Sequence, residues 1–549
     1  MTSTEHTSPT LSPGTARPTG RRAAYRLARI PPAAWNLAGG PRRTWVSRAV
    51  LLTILAFQAA LSLRVSNTAF QDEALYLAAG HAELSHLLHG APKPVNYAAY
   101  FSGAPQLYPL LAAAVDQGFG LAGARMLSLL CMLGTTALLY SFTRRLFNER
   151  VGLTAAALFS VVQSTIVMGN IATYDAPALC LLATATWIVV RTARMCAPAV
   201  LLAAPVATLA VAVKYAAGLY VPTIVALSLL TALPHHRARA FLRPLLLASS
   251  IGAVLVLGMY GTGLVAGVRH STTHRSHGSD SPLFLLQQSL SWGGILFVAA
   301  VGGAFAYARR SRMNESPLAA GLGGPSRAQR LLLGLLLCTT VLLAPAYQMY
   351  LGTVVSLFKH IGFGLLFAAP LAGVGVIRLV GAHFRHPHVG IVLWTVTLCL
   401  GLSQAQWRFA TWPDSSALIR TISSQVDGKG RYLSSTPEVP AYYLRSRTTH
   451  RQWQGVFGME YTDRARNRHT GDDAYRAALR DGEFDLVVLD GMTNVRVNDV
   501  IANELDTNPK YQPLANLPFR ITSNDIRHHL LADASAGQRS GRYQIWKKR

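Results

Sequence analysis

Two adjacent carboxylates, Asp72 and Glu73, are the residues whose type and position most clearly suggest chemistry. They follow an apolar run, 46–63, that is long enough to cross a bilayer. Acidic side chains at the end of a membrane span are costly to place and tend to be functional. Such a carboxylate could act as a general base that takes a proton from a hydroxyl group. The residues alone leave open that both acids only cap the helix that follows.

A third acid, Asp175, starts another apolar segment on the same predicted side of the membrane. It could serve the same site, or it could only cap its helix with Pro177 in the first turn. Cationic side chains at outer helix ends could bind a phosphate. These candidates are Lys214, Arg269, Arg275, Lys359 and His360. The alternatives are lysines that only reach to the membrane interface and, around Arg269 and Arg275, a solvated loop or adventitious metal binding.

Tyrosines near these acids could line a substrate site. If 70–80 is helical, Tyr76 shares a face with Asp72 while Glu73 points elsewhere. Tyr100 and Tyr108, with their aromatic neighbours, could stack on a sugar or form a belt at the membrane interface. Neither the histidines nor the five cysteines have the spacing of a metal site. The sequence therefore predicts no metal site and requires no cofactor, and it leaves a divalent metal open.

The composition is that of a membrane protein. Of the 549 residues, 51% are hydrophobic and only 14% are charged, and the net charge is +26. A soluble domain usually carries about 25% charged residues. The basic residues punctuate apolar runs instead of clustering with aromatics, which argues against a nucleic-acid partner and for the lipid bilayer.

Ten further apolar segments follow the first. They are 124–142, 152–170, 173–190, 198–213, 215–233, 244–266, 290–308, 331–347, 361–380 and 389–405. With the first segment they predict about eleven transmembrane helices, the division at Lys214 being the weakest. Lysines and arginines in alternate connections place the N-terminus in the cytoplasm and everything after Trp407 outside.

The segments outside these spans differ in character. Residues 1–45 are predicted to be a disordered basic cytoplasmic tail. Within 46–407, the first outer loop, 64–123, contains a short apolar piece, 106–115, that we expect to be an interfacial helix. Residues 408–549 are predicted to form a small extracytoplasmic α/β domain, without a nucleotide-binding motif. Its predicted elements are strands at 431–435, 484–490 and 543–546 and a helix at 473–480.

The candidate residues suit sugar transfer from a lipid phosphate to a hydroxyl group. That reaction needs a carboxylate base, cations on the leaving phosphate, and a cavity that positions both partners. Asp72 would be the base, and the cations at outer helix ends would bind the phosphate.

At these residues the chain resembles the GT-C superfamily, in particular protein O-mannosyltransferases and the lipid A aminoarabinose transferase. The resemblance covers roughly 46–405. It rests on Asp72-Glu73 after the first span, on Tyr100-Phe-Ser-Gly-Ala-Pro-Gln-Leu-Tyr-Pro109, on the segment from Ala124 to Phe147, and on Tyr174-Asp175. Among these proteins it looks most like actinobacterial members with an outer C-terminal domain.

The resemblance implies a mainly α polytopic membrane fold and transfer with inversion from a polyprenyl-phosphate-linked sugar. The acceptor would be a hydroxyl of a protein, a lipid or a cell-wall glycan outside a bacterial plasma membrane. Asp72 would be the base, Glu73 an auxiliary acid and Asp175 part of the site. Such enzymes often carry an Arg-Tyr pair in the region where this chain has Lys359. The resemblance therefore implies a phosphate-binding role for Lys359 less directly than it implies the roles of the acids.

Two other classes of protein remain open from the sequence. A transporter also has many spans and charges in the membrane, but no matching pair of broken helices is evident in two halves of the chain. A noncatalytic scaffold for the outer domain leaves Asp72-Glu73 and the basic helix ends without a shared purpose.

Overall fold

The computed structural model describes residues 41–549 except 66, 93–95, 98–100, 263–264, 273–276, 310–324, 382–383, 411–412 and 520–540. Up to Ala410 the regular structure of the described chain consists of helices. The helices are α1 Pro41–Ser62, α2 Asp72–His89, α3 Tyr108–Leu146, α4 Glu149–Ser160, α5 Gln163–Met168, α6 Asp175–Arg191, α7 Ala204–Val213, α8 Val221–His236, α9 Leu242–Thr262, α10 Val265–Thr272, α11 Pro282–Arg309, α12 Arg327–Thr339, α13 Leu343–Leu351, α14 Leu357–Val380 and α15 Pro387–Ala410. Short 3₁₀ helices join some of them, at Ala197–Ala203, Tyr215–Tyr220, Arg237–Phe241 and Thr340–Leu342.

Seven helical runs in the described part of the chain are long and apolar enough to cross a membrane, judged by length and composition. The sequence predicted about eleven. Two of the predicted segments, 215–233 and 244–266, fall largely in one run from Tyr215 to Gly258. Three others form shorter or broken helices, namely 152–170, 173–190 and 198–213. Apolar composition alone does not reveal where the backbone breaks, and this accounts for the difference in number.

One element, α3, contains both the predicted interfacial helix and the predicted second span. Its backbone leaves the helical region at Gly120, with φ 65° and ψ −172°. A side chain at that φ would be strained, and glycine tolerates it. The two arms of α3 therefore correspond to 106–115 and 124–142, with a kink between them.

Helix α14 lies at the centre of the bundle and is buried along most of its length. Its backbone approaches α11 closely, since an added Cβ on Gly375 would lie 2.2 Å from Ala299 O and one on Gly303 only 1.9 Å from Leu371 O. Small residues of this kind allow close helix packing in membranes. The tight contact fixes the position of Lys359 in the first turn of α14.

The segment after α15 forms a small α/β unit, as predicted. Its elements are α16 Ser416–Ile422, β1 Tyr432–Ser434, α17 Glu438–Tyr443, β2 Trp453–Gln454, β3 Glu460–Thr462, β4 Arg468–Thr470, α18 Asp472–Asp481, β5 Leu486–Leu489, α19 Val495–Thr507, β6 Tyr511–Pro518 and β7 Arg542–Lys548. The sheet order is β2-β1-β5-β7-β6, with β1 parallel to β2 and β5 and with β7 antiparallel to β5 and β6. The strands and the helix expected from sequence coincide with β1, β5, β7 and α18. The exact boundary at 408 stays a prediction.

The α/β unit is joined to the helical bundle through α17, which packs on α2. The Tyr443 hydroxyl accepts a hydrogen bond from Ala69 N at 2.7 Å. The Tyr442 hydroxyl donates to Asp116 Oδ1 at 2.7 Å, and the other oxygen of Asp116 is 2.6 Å from His81 Nε2. These contacts, which the sequence did not indicate, hold α17 beside the start of α2.

The predicted break in the helix at Lys214 is present, and a neighbouring loop forms hydrogen bonds with the backbone there. Tyr215 N donates to Ser102 O at 2.8 Å, and Ala104 N donates to Ala212 O at 2.8 Å. Lys214 itself is extended, with φ −147° and ψ 115°. The loop around Gly103 thus interrupts the helix and fixes the backbone of Lys214.

The close approach of Gly103 to this break gives a test of the fold. An added Cβ would lie 2.0 Å from Val213 O, so the Gly103→Ala variant must push two backbone segments apart. Overpacking of this kind costs about 1–3 kcal/mol. We expect a lower midpoint of thermal unfolding for the detergent-purified variant.

The matched control is Gly302→Ala in α11, where an added Cβ meets nothing within 4 Å. Since alanine is a better helix former than glycine, this variant should unfold at the same temperature as the parent or slightly higher. Equal unfolding temperatures for the two variants would contradict the described contact.

Candidate active site

Four charged side chains from distant parts of the sequence form one chain of ion pairs. Lys359 Nζ lies 2.7 Å from Asp72 Oδ2 and 3.3 Å from Asp175 Oδ2. Lys214 Nζ lies 2.6 Å from the other oxygen of Asp175. The order is Asp72, Lys359, Asp175, Lys214, so acids and bases alternate.

The cluster is open at one end only. The Asp72 side chain is 43% exposed, whereas those of Lys359, Lys214 and Asp175 are 7%, 4% and 0% exposed. Buried charges of this kind are stable only when they are paired, and the alternation provides the pairs. A substrate would therefore meet Asp72 first and the Lys359 ammonium next.

The alternative that Asp72 and Asp175 only cap their helices does not describe either residue. Asp72 and Asp175 are the first residues of α2 and α6, and their carboxylates face lysines. Asp175 also accepts a hydrogen bond from Thr173 Oγ1 at 3.0 Å. The two buried lysines likewise do not reach out to an interface.

The backbone that delivers this cluster is strained at two points. Gln71, directly before Asp72, has φ 39°, and Ser356, directly before α14, has φ 66°. Non-glycine residues in such conformations cost about 1–3 kcal/mol each and cluster at functional sites. Both lie at the entrance of a helix that carries a member of the cluster.

Aromatic rings surround the buried end of the cluster. The Tyr174 ring lies 4.5 Å from Lys214 Nζ, a cation–π distance. Tyr76 packs on Tyr174 with 4.4 Å between ring centroids, and Tyr108 lies at 6.4 Å. Tyr76 and Tyr108 therefore lie near the cluster as buried residues, and their role in binding substrate stays a prediction.

Glu73 lies outside this cluster. Its two carboxylate oxygens receive Arg125 Nε at 2.9 Å and Nη2 at 2.7 Å, and Ala172 N donates to Oε1 at 2.7 Å. The carboxylate is fully buried and satisfied. This geometry suits a clamp that fixes α2 against α3 and the segment before α6. The auxiliary catalytic role expected for Glu73 stays a prediction that these contacts do not favour.

The structure gives less support to the remaining residues that were predicted to bind substrate. His360 follows Lys359 and has its Nδ1 3.3 Å from Gln348 Nε2. Arg269 lies in α10 with an exposed side chain and takes no part in the ion pairs described for the cluster. Arg275 and Tyr100 lie outside the described residues. Within the described chain, no group of histidine, cysteine and acidic residues is arranged to hold a metal ion.

Sequence reasoning did not assign roles to Arg125 and Tyr174. Both stand in segments that carried the family resemblance, and an arginine at the outer end of an apolar span signals a buried partner. Glu73 supplies that partner. Tyr174 could have been noticed because it directly precedes Asp175.

Part of the chain matches a known protein family. Residues 108–260 match the family model described as dolichyl-phosphate-mannose-protein mannosyltransferase. A search of curated proteins gave no match.

Two solved structures share the fold. The ArnT of Cupriavidus metallidurans bound to undecaprenyl phosphate has 13% sequence identity and a TM-score of 0.52, covering 92% of this chain and 97% of its own. The oligosaccharyltransferase AglB of Archaeoglobus fulgidus, in complex with an inhibitory peptide and a dolichol-phosphate, has 11% identity and a TM-score of 0.52. That alignment covers 89% of this chain and 75% of AglB.

The fold is therefore that of the GT-C superfamily, as the sequence resemblance implied, with a small α/β region after the helices. The seven apolar helical runs and this likeness of fold support a multi-pass membrane protein. The match over 108–260 makes that part of the chain similar to a glycosyltransferase family. The family match favours a glycosyltransferase over the transporter and scaffold alternatives.

The two adjacent acids should respond differently to neutralisation. Glu73→Gln leaves the buried Arg125 guanidinium without its counter-charge, which typically costs about 3–5 kcal/mol. Asp72→Asn removes a half-exposed charge, and Lys359 keeps Asp175. We expect Glu73→Gln to lower the unfolding midpoint strongly or to abolish recovery of folded protein, and Asp72→Asn to change it little.

Thermal unfolding of both variants in the same detergent measures the difference. An Asp72→Asn variant less stable than Glu73→Gln would contradict the assignment of Glu73 as the structural partner of Arg125.

Proposed function

We propose that the protein transfers a sugar from a polyprenyl-phosphate donor to an acceptor hydroxyl at the outer face of a bacterial plasma membrane. The observation that carries the proposal is the half-exposed Asp72 carboxylate held 2.7 Å from the Lys359 ammonium. A base and a phosphate-binding cation are the two groups that such a transfer needs side by side.

The donor phosphate and Asp72 would compete for Lys359. A phosphodiester entering from the Asp72 side meets the ammonium, which is 7% exposed, before it meets Lys214. Charge-assisted contact with phosphate oxygens favours a switch of Lys359 from Asp72 to the donor. Asp72 is then released to receive the proton of the acceptor. Donor binding thereby prepares the base.

The buried pair of Asp175 and Lys214 would keep Lys359 in place during that switch. Asp175 stays 3.3 Å from Lys359 Nζ and is itself held by Lys214 at 2.6 Å. In this proposal Lys214 and Asp175 position Lys359 and do not touch the sugar.

The transfer would proceed with inversion at the anomeric carbon. The acceptor oxygen attacks that carbon from the side opposite the phosphate, and its proton passes to Asp72. The bond between the anomeric carbon and the phosphate oxygen breaks, and the leaving phosphate gains a negative charge that Lys359 stabilises.

Supporting context comes from the related proteins. Mannose is the first donor sugar to test, because the matching family model is named for dolichyl-phosphate-mannose. The ArnT and AglB structures contain undecaprenyl phosphate and dolichol-phosphate. The basic residues in alternate connections support a cytoplasmic N-terminus and an outer α/β unit.

Asp72→Asn tests the base. The amide cannot accept the acceptor proton, so we expect transfer from polyprenyl-phosphate mannose into membrane acceptors to fall by about 10²–10⁴-fold. Binding of undecaprenyl phosphate should persist because Lys359 is unchanged. The assay follows radiolabelled sugar in membranes that contain equal amounts of folded protein.

The matched control is Asp473→Asn, which removes an exposed carboxylate paired with Arg476 in the outer unit. It should transfer at the parent rate. Near-normal transfer by Asp72→Asn would remove Asp72 from the mechanism.

Lys359→Gln tests the phosphate ligand. Loss of a charge-assisted contact of about 1.5–3 kcal/mol should weaken undecaprenyl phosphate binding by about 10–100-fold. Binding is read from the ligand-induced rise in unfolding temperature, which falls as affinity falls. Lys510→Gln, on the outer unit, should bind as the parent does, and an equal response of both variants would refute the assignment.

A further inference from the structure

One titratable side chain of the outer unit lies beside the proposed site and has no role so far. Glu438 is the first residue of α17 and is partly buried. It comes shortly after β1, while Asp490 comes directly after β5. Because β1 and β5 are parallel, their carboxyl ends share one edge of the sheet. Ligands of α/β sheets bind outside that edge.

This edge is directed at the helical bundle by specific contacts. Val439 and Tyr442 share a buried core with Ala74 and Leu77 of α2. Tyr443 binds the backbone of Ala69, three residues before Asp72. Thr68 and Ser415 exchange two further hydrogen bonds, with Thr68 Oγ1 2.8 Å from both Ser415 N and Ser415 Oγ. These contacts fix Glu438 relative to the start of α2.

Two acidic residues lie close enough to Glu438 for their negative charges to act on it. They are Asp72 at the start of α2 and Asp490 beyond β5. Asp490 has a structural role, since its Oδ1 accepts backbone hydrogen bonds from Met492 at 2.9 Å and Thr493 at 2.8 Å. Asp72 faces Lys359. Glu438 is therefore near both a structural acid and the proposed base.

We propose that Glu438 is the acceptor-binding carboxylate of the active site, supplied by the outer unit, and that it holds an uncharged hydroxyl-bearing acceptor against Asp72. The inference rests on the proposed function. It gives the α/β unit a direct part in specificity, because the donor would enter along the membrane helices and the acceptor from the side of the outer unit, where the start of α17 lies near the start of α2. Two neighbouring carboxylates would also repel an acidic acceptor and admit a neutral one.

The ionised form of Glu438 accepts hydrogen bonds from acceptor hydroxyl groups with both oxygens and more strongly than the neutral acid does. Burial, with the nearby charges of Asp72 and Asp490, raises the pKa of the Glu438 carboxyl to about 7. Below that pH the group is neutral, and above it the group is charged. The ionised fraction changes about tenfold between pH 6 and pH 8. The apparent acceptor KM should therefore fall by nearly the same factor as the pH rises over this range.

The experiment uses the full-length protein, polyprenyl-phosphate mannose, and native membranes that lack the protein as the source of acceptors. The amount of membrane is varied to obtain an apparent acceptor KM at several pH values. We expect Glu438→Gln to raise this KM about tenfold at pH 8 and to flatten its dependence on pH. Undecaprenyl phosphate binding and the unfolding midpoint should not change. Glu438→Asp should retain an inflection.

The control is Glu460→Gln, an exposed carboxylate of β3 paired with Arg468. Parent-like acceptor KM and pH profile in Glu438→Gln would overturn the inference. So would a loss of donor binding or of stability, since Glu438 would then be structural.

Asp72→Asn measured in parallel separates this inference from the proposed function. Normal transfer by Asp72→Asn, or no transfer by the parent protein, means that the proposed function has failed. Normal acceptor dependence in Glu438→Gln, with transfer abolished in Asp72→Asn, overturns only the role of Glu438.

Discussion

The site depends on one buried ammonium group shared by two carboxylates. Lys359 Nζ lies between Asp72 and Asp175, which come from α2 and α6, and its own residue belongs to α14. Two acids and two lysines leave the cluster neutral as a whole, which makes its burial tolerable. The outermost acid keeps access to substrate. Movement of the single ammonium changes what Asp72 can do, and the proposed function rests on that movement.

The rest of the helical bundle keeps this lysine in place. Close packing of α14 on α11 fixes the helix that carries Lys359. The loop at Gly103 fixes the extended backbone of Lys214. The Glu73–Arg125 pair ties α2 to α3 and to the segment before α6. Strain at Gln71 and Ser356 is maintained by these surroundings. The architecture therefore supports a preorganised polar site within an apolar bundle.

Sequence reasoning found most members of the site because acids and lysines at the ends of apolar segments are rare and costly. It could not find their pairing, since Asp72 and Lys359 are 287 positions apart and nothing local encodes that contact. It predicted that Glu73 points away from Asp72 in a helix, and only the family resemblance implied a catalytic role for Glu73. The α/β unit was predictable from alternating strands and helices. The docking of α17 on α2 was not, because it is a contact between residues far apart in the sequence. Backbone breaks within apolar runs made the number of spans the least predictable feature.

The most direct test of the account is an experimental structure of the protein with undecaprenyl phosphate bound. The account predicts that Lys359 Nζ contacts a phosphate oxygen and leaves Asp72, so that their separation grows from 2.7 Å to beyond salt-bridge distance, while Lys214 stays on Asp175. A phosphate bound elsewhere, with the Asp72–Lys359 pair intact, would contradict it.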